Sequence, residues 1–297
     1  MVYHYTTIET FYNMLASYKE AENYNLEFWA SSILNQNDKE ELSLNVGEIM
    51  PVLQRYEQSK EGESLTNLQK LTTVEEQWWV PMLTGHSVRG HLNKFFEDKE
   101  NVPFTISFSK QQDTLLMWTM YANNGNGICL AFDEEEIVKG NAYRYSIADR
   151  VFYNKDPRHY EVLINKLYNM YKEEIKDETI INTIYQIKLR YWACMLMGIS
   201  PFIKNAKFKD EEEFRVVYYK KSYDNPKVYS RLTSRQNIVD YIKVKIPIQA
   251  LKYIIIGPCA NYRRVKKLLV ENMKSCNIER DYDKRFIRKS KVPYRIY

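Results

Sequence analysis

The stretch FIKNAKFKDEEEFRVV, Phe202 to Val217, decides the reading of this chain. Lys204, Phe208, Glu211, Glu213 and Arg215 stand in a charged loop that runs straight into Val216, Val217, Tyr218 and Tyr219. A β-branched and aromatic run of this kind predicts a strand. Residues two apart on a strand share a face, so pairing that begins by Glu211 puts Glu211, Glu213 and Arg215 on one side. Two carboxylates so placed repel. A guanidinium two residues on holds one of them ionised and frees the other for chemistry. The competing reading is a solvated charge run at the start of a strand, because structural ion-pair networks look the same in sequence.

Working outward, 297 residues suffice for one large core or two small ones. With 44% hydrophobic and 27% charged residues the composition is that of an ordinary globular chain. The 25 Tyr, 12 Phe and 5 Trp are many, and the 9 Gly and 9 Pro are few, which argues against disorder and long linkers. The net charge of +5 is uneven, since Arg263 to Tyr297 holds 12 Lys or Arg against 4 Asp or Glu. A basic C-terminal region suits nucleic acid or another acidic partner, and equally suits plain solubility. The cysteines at 129, 194, 259 and 276 form no C-x-x-C pair, and no signal peptide is read, so reduced thiols in a cytoplasmic protein are expected. No apolar run reaches the length of a membrane span.

In chain order, VYHYTT reads as a first strand that places His4 just before an amphipathic helix, IETFYNMLASYKEA, capped by Thr6 or Thr7. NLEFWASS, with Trp29, is a second strand. Asn37, Asp38 and Glu41 follow in a polar turn. Residues from about 42 to 100 read as a helical excursion. His86 and His91, five apart, do not have the four-residue spacing of paired helical zinc ligands, so no metal site is read there. VPFTISFSK is a strand ending in Ser107-Phe108-Ser109. A helix carrying Leu115, Trp118 and Tyr121 then leads to the strand GICLAFD, and Trp118 and Tyr121 are expected to pack behind any site. A long helical pair is expected at about 158–200. Short strands follow Arg215, then the apolar run LKYIIIG, a helix from Asn261, and an extended basic tail. The expected fold is one α+β domain over residues 1–297, with a mixed, largely antiparallel sheet core and helical insertions at about 42–100 and 158–200.

These elements resemble, in order along nearly the whole chain, a bacterial family known as domain of unknown function 2971. The resemblance rests on VYHYT, Asn37-Asp38-x-x-Glu41, ISFS, D-x-x-LMW-x-x-YA, G-I-C-L-x-F, the segment from Lys204 to Arg215, IIIG and SKVPYR. Phe208 stands where a Trp is common. The family implies no activity. More distantly, His4, Ser107-Phe108-Ser109 and Glu211-x-Glu213 are similar in order to the His/Arg, Ser and Glu motifs of ADP-ribosyltransferase-like enzymes. That resemblance implies NAD as substrate and catalytic roles for Glu213, His4 and Glu211. It also implies NAD-binding roles for Tyr5, Trp29, Ser107, Ser109 and Arg215. In this reading His4 bonds a ribose hydroxyl, Tyr5 or Trp29 stacks on nicotinamide, and Glu213 stabilises positive charge on the sugar. Two alternatives stay open. One is a metal-dependent nuclease or phosphohydrolase using Asp38, Glu41, Glu211 and Glu213. The other is a binding or sensor module, for instance in antiviral defence, whose charges only maintain structure.

Overall fold

A computed structural model describes residues 1–18, 25–35, 102–140, 146–153, 157–175, 198–219, 226–233 and 237–295. Its strands are β1 (Val2–Thr6), β2 (Asn25–Ser32), β3 (Phe104–Ser109), β4 (Ile128–Phe132), β5 (Ser146–Arg150), β6 (Glu213–Tyr218), β7 (Val228–Leu232), β8 (Ile238–Pro247), β9 (Leu251–Ile256) and β10 (Ile287–Lys289). The helices are α1 (Ile8–Tyr18), α2 (Leu115–Tyr121), α3 (Glu134–Lys139), α4 (Pro157–Ile175) and α5 (Tyr262–Ser275). The expected helical insertion at about 42–100 lies outside the described residues, as do Asn37, Asp38 and Glu41. Of the second insertion, α4 is described, with Leu163, Ile164 and Leu167 fully buried.

The fold is α+β. All ten described strands join one sheet in the order β10-β9-β4-β1-β3-β2-β8-β7, with β6 added along β3 and β5 along β6. Every pairing is antiparallel except that of β10 with β9. β10 is short, charged and absent from the sequence reading. It forms because β9, with Ile254, Ile255 and Ile256 buried, still has an open edge.

β3 is the pivot of this sheet. One of its edges pairs along its whole length with β6, from Phe104↔Tyr218 to Ser109↔Glu213. The other edge is divided. β2 meets it only at Ser31↔Thr105 and Ser32↔Phe104, and β1 only at Tyr3↔Ser109. Between those contacts β1 and β2 part, and the middle of β3 faces a split in the sheet.

Alternation sorts the two faces. Phe28, Phe108, Phe132 and Phe214 gather on one, with Phe108 5.8 Å from Phe132 and 6.3 Å from both Phe28 and Phe214. Each such side chain contributes about 1.5–3 kcal/mol by leaving water. α1 is capped by Thr7, whose Oγ1 accepts from Thr10 N at 3.0 Å, and buries Phe11, Met14 and Leu15 in this core. α5 buries Val265, Leu269 and Met273 in the same core, and the Cys276 thiol just beyond it donates to Leu15 O at 3.5 Å. The opposite face carries Trp29, Ser31, Thr105, Ser107, Ser109, Glu213 and Arg215, most of the polar side chains singled out from sequence.

Candidate functional site

The split opens into a cleft of about 530 Å³. His4, Tyr5, Trp29, Ser107, Ser109, Glu211 and Glu213 all line it, drawn from β1, β2, β3, the start of β6 and the turn just before it. Arg215 does not. It is fully buried behind Glu213.

Strand pairing starts at Glu213, later than the alternation argument needs, so alternation aligns Glu213 and Arg215 but not Glu211. Glu211 instead ends a short 3₁₀ helix, Ala206–Glu211, and Glu212 takes a left-handed φ of 42°. That conformation is strained for a residue with a Cβ and persists only when its surroundings hold it. Here β3 holds it. Lys110 N donates to Glu212 O at 2.8 Å, and Ser109 Oγ donates to Glu211 O at 2.6 Å while accepting from Gln111 N at 2.9 Å. The Ser109 hydroxyl is therefore committed to positioning the Glu211 backbone. Tyr153 Oη accepts from Glu213 N at 2.9 Å and fixes the next residue.

The kink brings both carboxylates onto one lysine. Lys204 Nζ lies 2.6 Å from Glu211 Oε2 and 3.5 Å from Glu213 Oε2, and its side chain is wholly buried. Arg215 Nη2 donates to the same Glu213 oxygen at 2.6 Å, and Nη1 to Pro201 O at 2.6 Å. Two cations thus balance two carboxylates in a dry setting where an unpaired charge would be very costly. The Phe208 ring covers Lys204 Nζ at 4.6 Å, a task that either Phe or Trp performs. Sequence reasoning quoted Lys204 without giving it a role. The lysine seven residues before Glu211 was the visible signal, but only the 3₁₀ turn makes that separation a contact.

Tyr121 overturns an expectation. It lines the cleft, and its hydroxyl donates to Glu211 Oε1 at 2.6 Å. Three residues earlier, Trp118 is fully buried, as its helical spacing implied. Its indole donates to Asp113 Oδ1 at 2.7 Å, and Asp113 also accepts from Ser290 Oγ at 2.6 Å and Lys291 N at 2.7 Å. The Asp and Trp of D-x-x-LMW and the Ser-Lys of SKVPYR are therefore one structural tie between α2 and the C-terminal tail.

On β1, His4 Nδ1 is 3.1 Å from Ser107 O, across the split. A carbonyl only accepts, so Nδ1 carries the proton and Nε2 is left as an acceptor. Burial between Phe28 and Phe108 lowers the His4 pKa below the usual histidine range. The imidazole is neutral at pH 7. Tyr5 packs edge-on against Trp118 at 5.0 Å, and its hydroxyl donates to Gln111 O and accepts from Asp113 N. Trp29 is 39% exposed, so of the two rings it is the one with surface to offer.

Thr105 Oγ1 and Ser107 Oγ are buried in the cleft wall with no hydrogen-bond partner. Buried hydroxyls are nearly always satisfied, so a pair of orphans in the cleft wall is unusual. Among the described residues no three His, Cys, Asp or Glu side chains gather as a metal site.

No curated protein and no solved structure matches the chain. Residues 117–216, from α2 into β6, match the family model described as "Protein of unknown function (DUF2971)", a span that holds Tyr121, Lys204, Glu211, Glu213 and Arg215. Over that central third, the chain is similar to a family of unknown function whose matched segment includes the buried charge network of the cleft.

Proposed function

We propose that the cleft binds NAD and breaks its bond between nicotinamide and ribose C1, as an ADP-ribosyltransferase-like enzyme. The observation that carries this reading is that His4, Ser107 and Glu213, from three separate strands, line one cleft, Ser107 and Glu213 from the polar face of the sheet and His4 from the Phe28 and Phe108 side of the split. The orphaned hydroxyls of Thr105 and Ser107 fit a ligand rich in hydroxyl and amide groups. His4 Nε2 accepts from a ribose hydroxyl, and the Trp29 face takes an aromatic ring. As the C1–N bond breaks, its electron pair leaves with nicotinamide, and the carboxylate of Glu213 stabilises the positive charge left on the sugar. A nucleophile, water or an acceptor group, then bonds to C1 and releases its proton. Lys204 and Arg215 keep the Glu213 carboxylate fixed so that no reorganisation is needed as charge develops.

The same two cations weigh against the nuclease reading, because they already occupy carboxylate oxygens that a divalent ion would need. The test is release of nicotinamide from NAD by purified full-length protein in the presence of a metal chelator. Release supports the reading. Release of none, together with metal-dependent cleavage of nucleic acid, would replace it.

A further inference from the structure

Beyond the cleft, the face of the sheet that carries Trp29 continues across β8 to β7 as a row of rings. Trp29 stacks on Tyr241 with centroids 4.5 Å apart and planes 23° apart, and Tyr241 stacks on Tyr229 at 5.6 Å and 25°. Cations line the row. Arg231 lies 5.6 Å from the Trp29 ring centre, and Lys227 and Lys243 lie 5.1 and 5.4 Å from that of Tyr229. Glu27 faces the row from β2, but it pairs with Lys243 at 2.9 Å and sits opposite Lys245 in the strand register. The surface is therefore aromatic and net positive.

We propose that this row is a platform for a single-stranded polynucleotide. Such a chain offers phosphates to the cations and flat bases to the outer faces of the two end rings, Trp29 and Tyr229, with Tyr241 buried between them, whereas a duplex keeps its base faces hidden. Trp29 and Arg231 belong to both the row and the cleft, but Tyr229, Tyr241, Lys227 and Lys243 lie beyond the cleft. The occupant is therefore longer than anything the cleft itself holds. The basic face of α5, with Arg263, Lys266, Lys267 and Lys274, offers charge but Tyr262 as its one aromatic ring, and serves as the comparison surface. Binding at the row stands without the transferase reading. If both hold, a strand on the row leads into the cleft and supplies the group that receives the sugar.

The test is fluorescence anisotropy of full-length protein, without NAD, using labelled oligothymidylate, oligouridylate and a DNA duplex of equal length. Either single strand should bind more tightly than the duplex, and the two arms tell DNA from RNA. Tyr229→Ala should weaken single-strand binding roughly 5- to 100-fold, the usual effect of removing a stacking ring. Arg231→Ala should lower the slope of log affinity against log salt by about 0.7, as expected for one phosphate contact on a single strand. Lys267→Ala on α5 should change neither. No binding of either single strand, equal binding of the duplex, or a larger effect from Lys267→Ala than from Tyr229→Ala would overturn the proposal. Because NAD is absent, these outcomes are separate from failure of the transferase reading.

Discussion

Replacing Lys204 by Met tests whether the cleft's acidic wall depends on one buried cation. The variant keeps most of the side-chain volume and removes the ammonium, so little of its effect comes from a cavity. Glu211 loses its 2.6 Å ion pair and keeps the Tyr121 hydroxyl, while Glu213 keeps Arg215. One buried carboxylate thus loses the cation 2.6 Å from it. Removing one member of a buried ion pair costs about 3–5 kcal/mol, because the partner is left charged and dry. For a chain of this size that is a fall in melting temperature of roughly 6–20 °C. Adding Glu211→Gln in the same chain removes the stranded charge and should return much of the loss. A double-mutant cycle by thermal and urea denaturation reads this directly as a coupling between the two positions. A Lys204→Met melt within a degree or two of wild type, or purely additive effects in the cycle, would refute the network as described.

Other consequences follow from the same contacts. Arg215→Ala should lower stability by a comparable amount, about 3–5 kcal/mol, since it removes the closer of the two cations on Glu213, leaving Lys204 at 3.5 Å, and empties a fully buried site; urea unfolding measures it. Trp118→Ala should cost about 3–5 kcal/mol as a large-to-small core change, and a well-folded variant that had lost only ligand binding would contradict its structural role. Burial lowers the pKa of His4 in the folded state, so the unfolded chain binds more protons near and below the usual histidine value. Stability from His4 is thus complete above about pH 6.5 and is lost as pH falls toward its depressed folded value. His4→Gln should flatten the pH dependence of the melting temperature across that window.

The sequence was most informative where periodicity and burial coincide. VYHYT, NLEFWASS, FTISFS and LKYIIIG became β1, β2, β3 and β9 because their alternating or continuous apolar residues meet a sheet face. Trp118 was placed correctly for the same reason. Tyr121, on the same helix, was not, because hydrogen bonding of its hydroxyl to Glu211 depends on a turn ninety residues away. Likewise alternation aligned Glu213 with Arg215 but could not foresee the left-handed Glu212, which brings Glu211 to Lys204. The split beside β3 was also invisible in sequence. It arises from two strands sharing one edge, a property of pairing rather than of any local pattern.

The central claim is that Glu213 is the group in the cleft that acts on NAD, with Glu211 in support. Glu213→Gln keeps the shape of the side chain and removes its charge, while Lys204 stays bound to Glu211. The deciding measurement is nicotinamide release from NAD by wild type, Glu213→Gln and Glu211→Gln, each first shown to be folded by its melting curve. The account predicts turnover by wild type, a loss of about 100- to 1,000-fold for Glu213→Gln, and a smaller loss for Glu211→Gln. Wild-type turnover retained in full by a folded Glu213→Gln protein would contradict it.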